Sequence, residues 1–194
     1  MDVFWFYIKL GLGHVLDLSA YDHILFLMAL VIPFTFRMWK QILTLVTVFT
    51  IAHCLSLALS VYKVVEVEAA WIEFLIPVTI VVTALFNLRD SLKKRNKVSF
   101  QLQIIATGFF GLIHGFGFSN YFNMLMAGEE EKLSPLLGFA TGIEISQLIV
   151  ILMVLIVATI LEIGLKLPRK YFVIGTTAIV ILITIPMILD TWPG

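Results

Sequence analysis

The sequence has little charge and almost no cysteine. Charged residues make up 13% of its 194 residues and hydrophobic residues 60%, whereas soluble domains carry about 25% charged residues. The mean hydropathy is +1.03, which excludes an ordinary soluble domain and indicates an integral membrane protein. The formal net charge is zero, so no basic excess favours a nucleic acid as partner. The single cysteine, Cys54, excludes an internal disulfide.

Several familiar catalytic and sorting signals are also missing. The sequence has no Gly-x-Ser-x-Gly elbow and no His-Glu-x-x-His motif, so two common hydrolase mechanisms lack support. The stretch "HGFGF" at 114–118 is not a phosphate-binding loop, because it lacks the lysine and the strand–turn–helix context. The first twelve residues contain neither a basic region nor a small-residue cleavage site, so we do not expect a cleaved signal peptide.

Long apolar segments dominate the sequence instead. Six of them suit transmembrane helices, which need about 20 residues each, and no Gly/Ser/Pro-rich linker divides the chain. We therefore predict one all-α integral membrane domain, residues 1–194, built as a bundle of about six transmembrane helices. The preceding "VFWFYIKLGLG" is too short to span a membrane alone and is predicted as a short N-terminal helix or half-span, with a seventh span left open. The six predicted spans are 20–36, 40–62, 70–89, 99–119, 134–165 and 171–189.

The basic residues of the connecting loops predict the topology. Ten of the thirteen Lys and Arg residues lie in three alternating loops, whereas the loops "YKVVEVE" and "AGEEEK" are net acidic. By the positive-inside rule the basic loops face the cytoplasm and both termini face outward. The predicted location is a bacterial inner (cytoplasmic) membrane. The ten basic residues are Arg37, Lys40, Arg89, Lys93, Lys94, Arg95, Lys97, Lys166, Arg169 and Lys170.

Ionisable residues recur within or beside these apolar segments. Such residues are costly at membrane depth and usually face the interior of a bundle. At 1.5 Å per residue, five predicted helices bring an imidazole or a carboxylate to a similar level in the outer half of the membrane. We therefore predict one shared polar site rather than independent structural residues. Its candidate metal ligands are His14, Asp22, His23, His53, His114 and Glu144, with Glu73 nearby.

Neighbouring polar residues are predicted to support this site. Thr50 and Ser56 lie three residues either side of His53, and Gln147 lies three residues after Glu144, so each set shares a helix face. Asp17 is the least favoured candidate ligand and is expected only to cap a helix or orient a neighbouring residue. His14 precedes the first span by several residues and joins the site only if the N-terminal segment folds against the bundle.

The predicted donor set favours a transition metal. Neutral imidazole and carboxylate bind divalent Zn, Ni, Co, Fe or Cu, and the absence of cysteine from the cluster disfavours a soft Cu(I) site. A closed site would be structural, whereas an open coordination position would bind a substrate or pass ions. The sequence does not distinguish these cases.

Five stretches of the chain resemble the HupE/UreJ membrane protein family, in their order, polarity and spacing. They are "GHVLDLSAYDHILFL" at 13–27, "VTVFTIAHCLSLAL" at 46–59, "VEAAWIEFLIPVTIVVTALFNL" at 67–88, "FGLIHGFGFSN" at 110–120 and "GFATGIEISQLIV" at 138–150. The resemblance covers nearly the whole chain, and it is closest to short variants without a large N-terminal extracellular domain.

The resemblance implies a polytopic protein linked to nickel or cobalt uptake for hydrogenase and urease. The family's histidine/aspartate motif then corresponds to His14, Asp22 and His23, and its second histidine motif to His53. Its His-Gly motif corresponds to His114, with Glu144 as the glutamate partner.

A more remote resemblance is to the CREST group of seven-span zinc hydrolases, which includes alkaline ceramidases. Those enzymes use three histidines, an aspartate and a serine. The resemblance implies that His23, His53, His114 and Asp22 would hold zinc, with Ser56 or Ser119 as the serine. Zinc would lower the pKa of a bound water, which then attacks an amide or ester.

Three functions therefore remain open on the sequence. The chain is a divalent transition-metal transporter, a zinc-dependent intramembrane hydrolase, or a non-catalytic assembly partner whose polar cluster is a hydrogen-bonded core. The expected partners are the lipid bilayer and a metal ion, Ni, Co or Zn. A homo-oligomer is also left open.

Overall fold

The chain folds into a bundle of α-helices. The computed structural model describes residues 3–92 and 99–194, and in those ranges there are seven α-helices, one 3₁₀ turn at Phe36–Met38 and no strand. The predicted all-α membrane bundle is confirmed. Four residues of the predicted basic loops, Lys93, Lys94, Arg95 and Lys97, lie outside the described ranges. The helices are α1 (Val3–Leu16), α2 (Asp22–Val31), α3 (Trp39–Val61), α4 (Ala69–Leu92), α5 (Phe100–Met126), α6 (Leu133–Gly164) and α7 (Arg169–Asp190).

Five helices, α3 to α7, are long and apolar enough to cross a membrane, whereas α1 and α2 have only 14 and 10 residues. The segment predicted as the first span, 20–36, is therefore helical only over 22–31. Pro33 explains where α2 stops, because proline has no N–H to donate to the carbonyl four residues earlier. That carbonyl belongs to Ala29, and the side-chain amide of Asn87 on α4 donates a hydrogen bond to it instead.

A local turn separates α1 from α2. The Asp17 carboxylate accepts hydrogen bonds from the backbone N–H of Ser19 at 2.8 Å and from its hydroxyl at 2.6 Å. Short polar side chains that bond to nearby backbone compete with helix formation. The helix consequently ends at Leu16 and restarts at Asp22.

The two short helices follow one another through the bundle. We call the end where Arg37, Lys40 and Arg169 lie the basic end, and the opposite end, near Glu68 and Glu129, the acidic end. Residues of α1 pack beside the first turns of α6 at the acidic end, whereas the Arg169 side chain bonds the carbonyls of Ile32 and Phe34 just after α2. At 1.5 Å per residue the two helices are about 21 Å and 15 Å long. Their combined length is comparable to the thickness of a hydrocarbon core, about 30 Å.

Two close helix pairs form the framework. Helix α1 runs beside α6, and α5 runs beside α3, both in parallel orientation. At Gly142 an added Cβ would lie 2.9 Å from the backbone N of Leu12, and at Gly111 it would lie 2.7 Å from the carbonyl oxygen of Phe49. Only glycine permits backbones to approach this closely, which is how small residues pack membrane helices.

Candidate metal centre

Four imidazole rings from four helices meet inside the bundle. The ring centres of His14 and His23 lie 4.5 Å apart, and each lies 5.7–5.8 Å from that of His53. The ring centre of His114 lies 5.3 Å from that of His23. We call these four residues the histidine centre. Its members come from α1, α2, α3 and α5, so the centre exists only once these helices have packed.

Three of the rings can bind one ion together. Each of His14, His23 and His53 offers a ring nitrogen, and these three nitrogens all lie within 4.8 Å of one another. His23 and His53 are buried and His14 is partly buried. Neutral imidazole is the ligand that Ni²⁺, Co²⁺ and Zn²⁺ favour. The donor set therefore fits a divalent transition metal.

Several ring nitrogens of the histidine centre have no hydrogen-bond partner. In the described part of the chain, Nε2 of His14, His23, His53 and His114 is buried without one, and so is Nδ1 of His53. Buried polar atoms are otherwise nearly always paired, because leaving one unpaired costs about 1–3 kcal/mol. Five unpaired nitrogens in one place indicate that something not made of protein satisfies them.

Two of the rings are held by partners on their other side. Nδ1 of His114 donates to the carbonyl oxygen of Phe110 at 2.9 Å, and Nδ1 of His23 lies 3.2 Å from the Asp22 carboxylate. Both partners are acceptors, so Nδ1 carries the proton and Nε2 keeps its lone pair. This arrangement is typical of metal-binding histidines, whose second nitrogen bonds a carboxylate or a carbonyl. Asp22 thus orients the His23 ring and lies outside the group of three rings.

Aromatic layers close the histidine centre on both sides. Towards the basic end lie Phe26, Phe49 and Phe110, each about one helical turn from a histidine on its own helix. Towards the acidic end lie Phe118, Phe122 and Phe139. The Phe118 ring is centred 3.9 Å from that of His14 and stacks on Phe139 at 5.3 Å. We call these sets the basic-side and acidic-side aromatic layers.

The N-terminal segment does fold against the bundle. Gly11, Gly138 and Gly142 let α1 lie directly on α6, and this contact brings His14 to the histidine centre. His53 is eight residues from the end of α3, about 12 Å from the acidic end. His53 is therefore in the half of α3 nearer the acidic end, whereas His114 lies near the middle of α5.

Glu144 lies beside α3, in a hydrogen-bonded group of its own. Its two carboxylate oxygens accept hydrogen bonds from the hydroxyls of Thr47 at 2.7 Å and Thr50 at 2.5 Å. The Thr50 hydroxyl also lies 3.3 Å from Oε1 of Gln147. The structure does not bring Glu144 into the three-histidine group. Thr47 was missed by the sequence analysis, although it lies three residues before Thr50 on the same face.

The remaining predicted site residues lie apart from the histidine centre or are engaged with backbone. Glu73 is exposed near the acidic end, and Asp17 is exposed in the turn after α1. The Ser56 hydroxyl donates to the carbonyl of His53, and the Ser119 hydroxyl to that of Phe116, both at 2.7 Å. Neither serine is hydrogen-bonded to a histidine ring, which a serine nucleophile activated by histidine would require.

One known family matches the chain. The profile of the family described as HupE / UreJ protein matches residues 1–191, which is nearly the whole chain. The chain belongs to the HupE/UreJ family. No curated protein and no solved structure matches it. The membership confirms the resemblance found in the sequence. Family membership and the buried histidine group together relate this protein to a metal ion.

Proposed function

We propose that this protein carries a divalent transition-metal ion across a bacterial inner membrane, and that the ion is nickel or cobalt. The observation that carries the proposal is the set of buried ring nitrogens without partners at the histidine centre. A resident structural metal would need only a closed site anywhere in the fold. This centre instead is buried inside the bundle, between its two ends, as the substrate sites of transporters are.

The break between α1 and α2 supports the same function. Discontinuous helices are typical of transporter binding sites, because their unwound backbone and free helix ends can rearrange around an ion. Here the break at 17–21 separates His14 on one half-helix from His23 on the other. A small change of angle between the halves would therefore move two ligands relative to each other.

We place the entry route at the acidic end. A cavity of about 450 Å³ there is lined in part by Ser60, Asn123, Glu129 and Lys132. Asn123 directly follows Phe122, a member of the acidic-side aromatic layer, and donates a hydrogen bond to Ser60 at 2.8 Å. With the acidic end facing outward, as the positive-inside rule predicts, the ion enters here. It then reaches the histidine centre past the acidic-side aromatic layer.

Transport is tested with the purified protein in liposomes that contain a metal-sensitive dye. We expect uptake of Ni²⁺ or Co²⁺ by the wild type and at least a tenfold lower rate for His23→Ala and His53→Ala. Thr184→Val is the matched control, because Thr184 is fully buried on α7 and bonds only the carbonyl of Val180. Absence of Ni²⁺, Co²⁺ and Zn²⁺ flux in both orientations of the protein would overturn the proposal.

The zinc hydrolase of the CREST type is the second candidate, supported by the combination of the buried His23, His53 and His114 with Asp22. It requires one zinc per chain that does not exchange during turnover, together with amide or ester hydrolysis. Elemental analysis after dialysis against a chelator separates the two functions. A transported ion is lost and replaced, whereas a catalytic zinc is retained.

A further inference from the structure

A cavity opens at the basic end of the bundle and points towards the histidine centre. Its volume is about 320 Å³, and Gln41, Asn87, Asp90, Gln103 and Arg169 are among the residues that line it. Apart from Lys170, these are its charged and amide-bearing residues. The cavity therefore offers carboxylate and amide oxygens beside two basic side chains.

A narrow extension continues this cavity further into the bundle. The extension has a volume of about 50 Å³ and shares Phe34, Asn87, Asp90 and Gln103 with the wider part. Beyond them it is lined by the hydroxyl-bearing Thr83 and Thr107 and reaches Phe110. Polar side chains thus recur from the basic end to within one helical turn of Phe110, although most residues of the extension are apolar.

The extension ends one helical turn from a histidine of the centre. The carbonyl of Phe110 accepts the hydrogen bond from Nδ1 of His114, and the Phe26 ring is centred 5.1 Å from the His114 ring. The rings of Phe26 and Phe110 are themselves 6.2 Å apart, edge to face. These two rings therefore separate the extension from the histidine centre.

We propose that this cavity is the route by which the metal ion leaves the histidine centre. Asp90, Asn87 and Gln103 form a second binding site for the ion, made of oxygen ligands only. Phe110 is the gate between the histidine centre and this second site. The inference rests on the proposed transport function and adds the path and a further site to it. Imidazole binds Ni²⁺ and Co²⁺ more strongly than carboxylate and amide oxygens do. An ion that has passed Phe110 is thus held weakly enough to leave.

Three charged side chains line the cavity in the described part of the chain. Arg169, one of its two basic lining residues, is held at its rim: the guanidinium donates to the Glu162 carboxylate at 2.5 Å and to the carbonyls of Ile32 and Phe34. Lys170 is exposed, so its ammonium can extend into water. Asp90 is the carboxylate of the lining and belongs to both the cavity and its extension.

The first test compares two aspartates at opposite ends of the bundle. Asp90→Asn removes the charge from the proposed second site, whereas Asp190→Asn makes the same change at the exposed end of α7. We expect Asp90→Asn to lower the rate of Co²⁺ flux in liposomes at least fivefold, with the affinity of the histidine centre for Co²⁺ unchanged. Asp190→Asn should match the wild type in both measurements.

The outcomes separate this inference from the proposed function. A wild type that binds Co²⁺ but does not move it would refute transport itself. A wild type that moves Co²⁺, together with an Asp90→Asn variant that moves it equally fast, would refute only the route described here. A variant that loses affinity at the histidine centre would also count against the route, because Asp90 would then act on the centre itself.

A labelling experiment tests the route without depending on Asp90. In a Cys54→Ser background, Gln103→Cys places the chain's one thiol in the cavity, and Gln101→Cys places it on the exposed surface of α5. We expect a membrane-impermeant thiol reagent to reach Gln103→Cys only from the basic end, and Co²⁺ to slow that reaction at least threefold. Co²⁺ should leave the labelling of Gln101→Cys unchanged. Equal protection of both positions, or labelling of Gln103→Cys from the acidic end, would overturn the route.

Discussion

The imidazole rings of His14 and His23 lie 4.5 Å apart although a break in the helix separates them. His14 is in the last turn of α1 and His23 is in the first turn of α2. The five residues between the two helices, 17–21, form the turn organised by Asp17 and Ser19. The two helix ends therefore face the same point, and the ligands of the histidine centre can respond to the angle between the two halves.

Removing one imidazole should abolish stable metal binding. His53 is fully buried and belongs to the group of three whose ring nitrogens lie within 4.8 Å of one another. With His53→Ala only two members of that group remain, and we expect the affinity for Ni²⁺ or Co²⁺ to fall at least a hundredfold. The measurement is metal content by elemental analysis after gel filtration, with Thr184→Val as control. Unchanged metal content in His53→Ala would show that the ion is not bound by this group.

Neutralising Asp22 should weaken binding without abolishing it. Its carboxylate lies 3.2 Å from Nδ1 of His23 and raises the basicity of the other ring nitrogen. Losing such a partner typically costs about 10–100-fold in metal affinity. We therefore expect Asp22→Asn to fall in that range in a competition titration with a chelating dye. The exposed Asp190→Asn variant should bind the metal as the wild type does. Equal affinity of the two variants would show that Asp22 does not contribute to metal binding.

Displacing α1 should disrupt the centre from a distance. At Gly142 an added Cβ would lie 3.0 Å from the Cα of Gly11 and 2.9 Å from the backbone N of Leu12. Gly142→Ala should therefore push α1 away from α6, lower metal affinity at least tenfold and destabilise the bundle by about 1–3 kcal/mol. Gly175→Ala is the matched control, because nothing lies within 4 Å of a Cβ placed there. If both variants bind metal equally well, His14 is not held in place by the α1–α6 contact.

A change after α6 should stabilise the fold. Lys166 has φ 53°, in the left-handed region, just beyond the end of that helix. This conformation costs a non-glycine residue roughly 1–2 kcal/mol, and glycine adopts it freely. We expect Lys166→Gly to raise the free energy of unfolding in detergent by about 1 kcal/mol. Lys170→Gly, which removes the same charge inside the first turn of α7, should lower it by about 0.5–1 kcal/mol. A loss of stability in Lys166→Gly would contradict this.

Much of the fold could be read from the sequence because a membrane helix is defined by local composition. The apolar segments predicted α3 to α7 to within a few residues at most ends, although α5 extends to Met126 rather than to 119. The fixed rise per residue of a helix placed His53 nearer the acidic end of α3, where the structure has it, whereas His114 lies near the middle of α5. The end of α2 was missed because Pro33 interrupts the helix inside an unbroken apolar run, and hydropathy alone does not register a missing N–H.

The sequence by itself determined the class of protein, the number of apolar segments, the alternation of basic and acidic loops and the residues able to bind a metal. Only the tertiary structure decided which of those residues meet. Lipid is as apolar as a helix interface, so the pattern of a membrane helix does not reveal which face points inward. The rotation of each helix is set by close backbone contacts such as that of Gly142 with α1. That contact brings His14 close to His23 and His53. The packing of α3 beside α6 brings the Glu144 carboxylate within hydrogen-bonding distance of Thr47 and Thr50.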